Sequence, residues 1–159
     1  MRTRTACSIL LLLSAALAAT AAAAATPVAS VSTNWKGIEL DLMSVERKGN
    51  VLTLKWAVRN TSADSAIVSF ATTGKLATTY VVDEENGTKY YALTDKEGNT
   101  LASSHEYLGS DTYGIHASVA AGATNRYWAK FPAPPPEVKT VNVLFSESEP
   151  IEGAAIAEK

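Results

Sequence analysis

Thr79–Thr94, TYVVDEENGTKYYALT, is the stretch that decides the fold. Two runs rich in Val, Tyr and Thr flank Asn86-Gly87. A two-residue type I′ turn needs positive φ at both central positions, which Asn and Gly tolerate best, and its twist suits the flanking strands. With Asn86 and Gly87 as the central pair, Tyr80, Val82 and Glu84 share a face with Lys89, Tyr91 and Leu93. Thr79, Val81 and Asp83 share the other with Tyr90, Ala92 and Thr94. The first face is the expected core, with Glu84 opposite Lys89 near the tip, and the second is expected to face out.

Working outward, the same period of two recurs on both sides. Ile38, Leu40 and Leu42 alternate with Glu39, Asp41 and Met43, and Val45 falls out of step, as a bulge would cause. Lys48-Gly49-Asn50 reads as a turn into Val51–Arg59, where Leu52, Leu54, Trp56 and Val58 point one way. Downstream, Ser104–Tyr113 lacks a period and reads as a long loop. Tyr127, Ala129 and Phe131 alternate with Arg126, Trp128 and Lys130. Pro132–Pro136 (PAPPP) cannot donate ladder bonds and is expected to be an extended crossover. Val141, Val143 and Phe145 are expected inward, and Ile151–Ile156 adds a short edge strand. About eight strands at roughly 8–12-residue spacing predict an all-β chain, an immunoglobulin-like antiparallel β-sandwich over residues 35–156.

The first 25 residues read differently. Arg2 and Arg4 precede an apolar run and an alanine-rich stretch with several A-x-A sites, the pattern of a signal-peptide helix removed on export. Residues 26–34 then read as a flexible lead-in. Without Arg2 and Arg4 the remainder holds 12 basic and 16 acidic side chains, net −4. That sign does not suit nucleic-acid binding or attraction to anionic lipid. The single cysteine, Cys7, lies ahead of the apolar run, where a lipoprotein cysteine would follow it, so the exported part has no disulfide. The expected location is therefore secreted, or periplasmic within the cell envelope, with no stable membrane anchor.

The span from the hairpin onward carries V-D-E-x-N-G-T-K-Y-Y-x-L-T-D-x-E-G-N (Val82–Asn99), W-A-K-F-P-A-P-P (Trp128–Pro135), V-x-V-x-F (Val141–Phe145) and E-P-I-E-G (Glu149–Gly153). It resembles an exported bacterial immunoglobulin-like domain of unknown function, which in some proteins precedes an OmpA-like domain. More loosely, Ile38–Asn60 is similar to secreted immunoprotective-antigen sandwiches. The resemblance implies fold and export, and no reaction or cofactor.

Candidate chemistry is sparse. Asp83, Glu85, Asp95 and Glu97 sit in two acidic turns that could offer oxygens to calcium, but the second turn carries Thr100 where an EF-hand loop needs Gly. His105 and His116 are too few for a zinc or copper site without carboxylates such as Glu106 or Asp111. A hydrolase built from Ser103 or Ser104, His105 and Asp111 has no G-x-S-x-G elbow, and adjacent strand residues point to opposite faces. The aromatics are more informative: Trp128 lies between Arg126 and Lys130 on the expected outer face, with Tyr90 on the hairpin's outer face. An exposed ring flanked by cations is a recognition surface. The expected function is a non-catalytic protein-interaction module for an unknown protein or envelope component. The alternative is a small-ligand or calcium-binding extracytoplasmic protein.

Overall fold

The computed structural model describes residues 26–159, and the expected signal helix, its cleavage sites and Cys7 lie outside them. The described residues are all-β, with no helix among them: β1 (Ala29–Ser32), β2 (Ile38–Lys48), β3 (Val51–Asn60), β4 (Ala66–Gly74), β5 (Tyr80–Asp83), β6 (Thr88–Tyr90), β7 (Glu106–Gly109), β8 (Thr112–Val119), β9 (Thr124–Pro132), β10 (Thr140–Leu144), β11 (Ile151–Ala155) and β12 (Ala157–Glu158).

One sheet runs β1-β2-β3-β9, and β12 adds in parallel to the end of β2 beyond β1. The long β2–β3 hairpin closes at Gly49-Asn50, with Gly49 at φ 57°. Its register shifts between Leu42 and Ser44, so Met43 is the bulge that returns Val45 to the inner face. Two smaller sheets, β11-β10-β5-β6 and β4-β8-β7, complete a sandwich-like arrangement. They are stitched together where Thr78 and Thr79 donate backbone N–H groups to the Ala71 carbonyl and Ala71 donates to Ser146 Oγ.

The core follows the alternation. Leu40, Leu42, Leu52, Leu54, Trp56 and Val58 are buried from the large sheet, and Val68, Phe70, Val141, Val143 and Phe145 are buried from the smaller ones. Trp56 is fully buried, with ring centroids of Phe70 and Phe145 at 5.4 and 5.1 Å. Edge-to-face and tilted geometries of this kind add to what burial alone gives. Trp35 closes one end, edge-on to Phe70 at 5.5 Å.

Several local expectations are corrected. The lead-in 26–34 contains β1, because Ala29 to Ser32 find an open edge on β2. The irregular span Ser104–Tyr113 contains β7 and the start of β8, joined by Ser110-Asp111 with both residues at positive φ (50° and 53°). The tight two-residue turn is therefore there, and the one at Asn86-Gly87 is absent. β5 and β6 pair as Val81–Tyr90, Val82–Lys89 and Asp83–Thr88, leaving Glu84–Gly87 as a four-residue loop.

That two-residue shift keeps the same residues on each face but inverts which face is buried. Thr79, Val81, Asp83 and Ala92 point in, whereas Tyr80 and Val82 are half-buried and Tyr91 is 43% exposed. The reason is that β5 is an inner strand: Val81 sits opposite Val143 of β10, whose inward side is set by Val141 and Phe145. Asp83 tolerates burial because it accepts from the Asn86 backbone N–H and side-chain amide, at 3.2 and 2.7 Å. Glu84 and Lys89 do not pair. Glu84 accepts from Asn142 Nδ2 at 2.6 Å, and the Lys89 ammonium lies 4.6 Å from the Tyr80 ring centre.

The proline segment is extended only in part. Ala133 N–H bonds the Asn50 carbonyl, and Val138 N–H then turns back onto the Pro135 carbonyl at 3.0 Å. Arg47, on the inner side of β2 and almost fully buried, reaches this segment and donates to the carbonyls of Pro135, Pro136 and Val138 and to the Glu158 carboxylate.

Candidate functional site

Strand β9 places Arg126, Trp128 and Lys130 on its outward side because Tyr127, Ala129 and Phe131 are pulled into the core. Trp128 remains 39% exposed, and the Lys130 ammonium lies 5.9 Å from its ring centre. Across β3 the outward neighbours are Lys55 opposite Trp128 and Ala57 opposite Arg126, and beyond them on β2 come Ser44 and Asp41. Met43, Ser44, Glu46, Lys55, Arg126 and Trp128 surround a shallow basin of about 450 Å³.

The charges on this face fall into two groups. Arg59 donates to Asp41 at 2.6 Å and pairs with Glu39 at 2.7 Å, while Ser30 also donates to Asp41. Hydrogen bonding from Arg59 holds the Asp41 carboxyl below its ordinary value, against the opposing effect of burial. Lys55 and Lys159 both reach Glu46, each at 3.0 Å. Lys159 first, with Lys55 adding, lowers Glu46 to about 2. Arg126 and Lys130, by contrast, have no hydrogen-bonded or ion-paired carboxylate among the described residues.

At Trp128 and Lys130 the free side of β9 is closed at the backbone. Leu93 N–H donates to the Lys130 carbonyl, Lys130 N–H to Leu101, and Ser103 N–H to Trp128. Ser103 Oγ accepts from Trp128 N–H at 2.6 Å. At Trp128 and Lys130, therefore, only the side chains of this strand are available to a ligand.

Of the four sequence-derived binding residues, three come together and one does not. Tyr90 is on β6 in another sheet, half-buried and packed against the core. Burial, then the charge of Asp83, raises its hydroxyl above the ordinary value. The acidic quartet also separates. Asp83 and Glu85 border a cavity of about 430 Å³ with Glu84, Glu137 and Glu152. Asp95 instead closes its own turn, accepting from the backbone N–H groups of Glu97 and Asn99. Among the described residues no group of three or more His, Cys, Asp or Glu side chains is placed to hold a metal ion.

The histidines have separate partners. His105 Nδ1 accepts from Thr100 N–H at 2.8 Å and its ring stacks on Tyr113, while Ser103 binds the Trp128 backbone and Asp111 pairs with Lys75. Ser103, His105 and Asp111 are therefore each bound elsewhere and form no triad. His116 instead bonds Ser69 Oγ at 2.7 Å, as its cross-strand partner between β4 and β8, beside a groove of about 570 Å³. Sequence reading missed this pair because its residues are 47 positions apart. Only the strand register joins them.

No family model, curated protein or solved structure matches the chain.

Proposed function

We propose that this chain is a non-catalytic, exported immunoglobulin-like domain of the bacterial cell envelope that binds another macromolecule through the outer face of β9. The observation that carries the reading is that, among the described residues, the two cations flanking exposed Trp128 lack carboxylate partners, whereas neighbouring Lys55, Arg59 and Lys159 have them. Recognition patches favour Trp and Arg, and cations next to an aromatic ring serve both apolar and charged contacts. Export rests on the Arg2/Arg4, apolar and alanine-rich pattern of residues 1–25. The immunoglobulin-like assignment rests on strand number and spacing, with a buried Trp on an early strand.

The test uses the full chain in its own cells, with a photo-crosslinking residue at Lys130 or at Ser118, which is exposed on a different sheet. Crosslinks to a defined partner are expected from position 130 and not from 118. Trp128→Ala should remove them while shifting the melting temperature by only a few degrees. Equal crosslinking from both positions, or a collapse in stability, would make Trp128 a packing residue and end the proposal.

A further inference from the structure

We infer that the occupant of this face is an extended segment of a different protein, bearing the pattern acidic–x–apolar–x–acidic and presented by a β-sheet. The inference rests on the recognition role proposed for β9 and specifies its partner's chemistry. Arg126, Trp128 and Lys130 are successive outward positions on one strand. Same-face positions repeat every two residues, about 6.8 Å, so the backbone sites of the two cations are about 13–14 Å apart with the indole midway. An extended polypeptide repeats at this same interval. Its residues i, i+2 and i+4 therefore meet the cation, ring and cation in register, with the apolar side chain entering the basin beside Met43 and Trp128.

The closed edge sets the mode of docking. β3 pairs one side of β9, and Leu93, Leu101 and Ser103 occupy the other at Trp128 and Lys130. A partner cannot add a strand alongside Trp128 and Lys130. It must lie over the side chains, as one sheet packs on another with about 10 Å between them. A partner strand already held in its own sheet meets that requirement without leaving its backbone groups unpaired.

The chain does not supply the pattern itself: no two Asp or Glu residues stand four positions apart anywhere in the sequence. A second copy therefore cannot offer its own strand to this face in matching register, and the partner is a different protein.

The probe is a fluorescently labelled designed β-hairpin displaying Glu-Thr-Leu-Thr-Glu on one strand, titrated by anisotropy against the purified full-length chain. Controls are a hairpin of identical composition with the two Glu on opposite faces, one with Gln for Glu, and an oligogalacturonate. The matched hairpin should bind at least roughly tenfold more tightly than either hairpin control, and weaken as salt is raised. Arg126→Glu and Lys130→Glu should each cost roughly tenfold, and the double variant should prefer a Lys-Thr-Leu-Thr-Lys hairpin. These residues are exposed, and unchanged melting confirms that the variants fold. Equal binding of the scrambled hairpin, no binding of the matched one, or Trp128-dependent binding of oligogalacturonate alone overturns the peptide chemistry. The Lys130 crosslinks report on the recognition face separately, and would survive such a result.

Discussion

Replacing Arg47 by Met should destabilise the fold through its carbonyl contacts far more than through its ion pair. The guanidinium lies 2.8 Å from the Val138 carbonyl, 3.2 Å from Pro135 and 3.3 Å from Pro136. Val138 is buried, whereas Pro135 and Pro136 are exposed and can be rehydrated. Leaving the Val138 oxygen unsatisfied costs about 1–3 kcal/mol, and the other two bonds contribute about 0.5–1.5 kcal/mol each. Part of this is offset because Arg47 Nε is itself buried without a partner among the described residues, and Met removes it. The expected net loss is about 2–3 kcal/mol. For a domain of this size that corresponds to a fall of roughly 5–15 °C in melting temperature. The pair with Glu158 contributes little, because Glu158 is 56% exposed against 5% for Arg47. Glu158→Gln should cost under about 1 kcal/mol. Urea and thermal denaturation of both variants check the argument. Arg47→Met within about 0.5 kcal/mol of the native chain, or Glu158→Gln costing as much as Arg47→Met, would refute it.

Two further outcomes follow from local geometry. Glu46 is depressed from its ordinary value to about 2 in the folded chain, so its contribution is present at neutral pH and lost as pH falls below the unfolded value and through the folded one. Glu46→Gln should therefore flatten the pH dependence of the urea midpoint between about pH 5 and 2. An unchanged slope would mean that Lys159 and Lys55 do not hold the carboxylate in solution. At Gly114 a Cβ would sit 1.9 Å from the Phe70 carbonyl oxygen, where β8 crosses close to β4. Gly114→Ala should cost roughly 3 kcal/mol or more in chemical denaturation, against under about 0.5 kcal/mol for exposed Ser118→Ala. Similar values for the two would sink the close-approach reading.

What was legible in the sequence depended on how strongly one face differed from the other. In β2 and β3 the outward positions are mostly charged or polar, so Leu40, Leu54 and Trp56 could be assigned inward, and Val45's break in phase exposed the bulge. Arg126, Trp128 and Lys130 were legible for the same reason: their intervening residues form an unbroken apolar set. The β5–β6 hairpin offered no such contrast. Tyr80 and Val82 are as apolar as Val81, and a carboxylate at position 83 argued against burial. Its burial depends on the bonds from Asn86 and on pairing with β10, both features of the folded loop. The Ser110-Asp111 turn was missed because Ser is a poor signal for positive φ. Tyr90 was assigned outward as a consequence of the inverted hairpin. Nothing in the sequence singles out Arg47, and only the return of residues 135–138 against it makes it an internal clamp.

The backbone closure of β9 has an evolutionary consequence. Its N–H and C=O groups are held by β3 on one side and, at Trp128 and Lys130, by the 93–103 segment on the other, so the ladder there does not depend on the outward side chains. Positions 126, 128 and 130 can be exchanged while the strand stays fixed. On the recognition role proposed for this face, changing three residues alters the partner without renegotiating the fold that presents them.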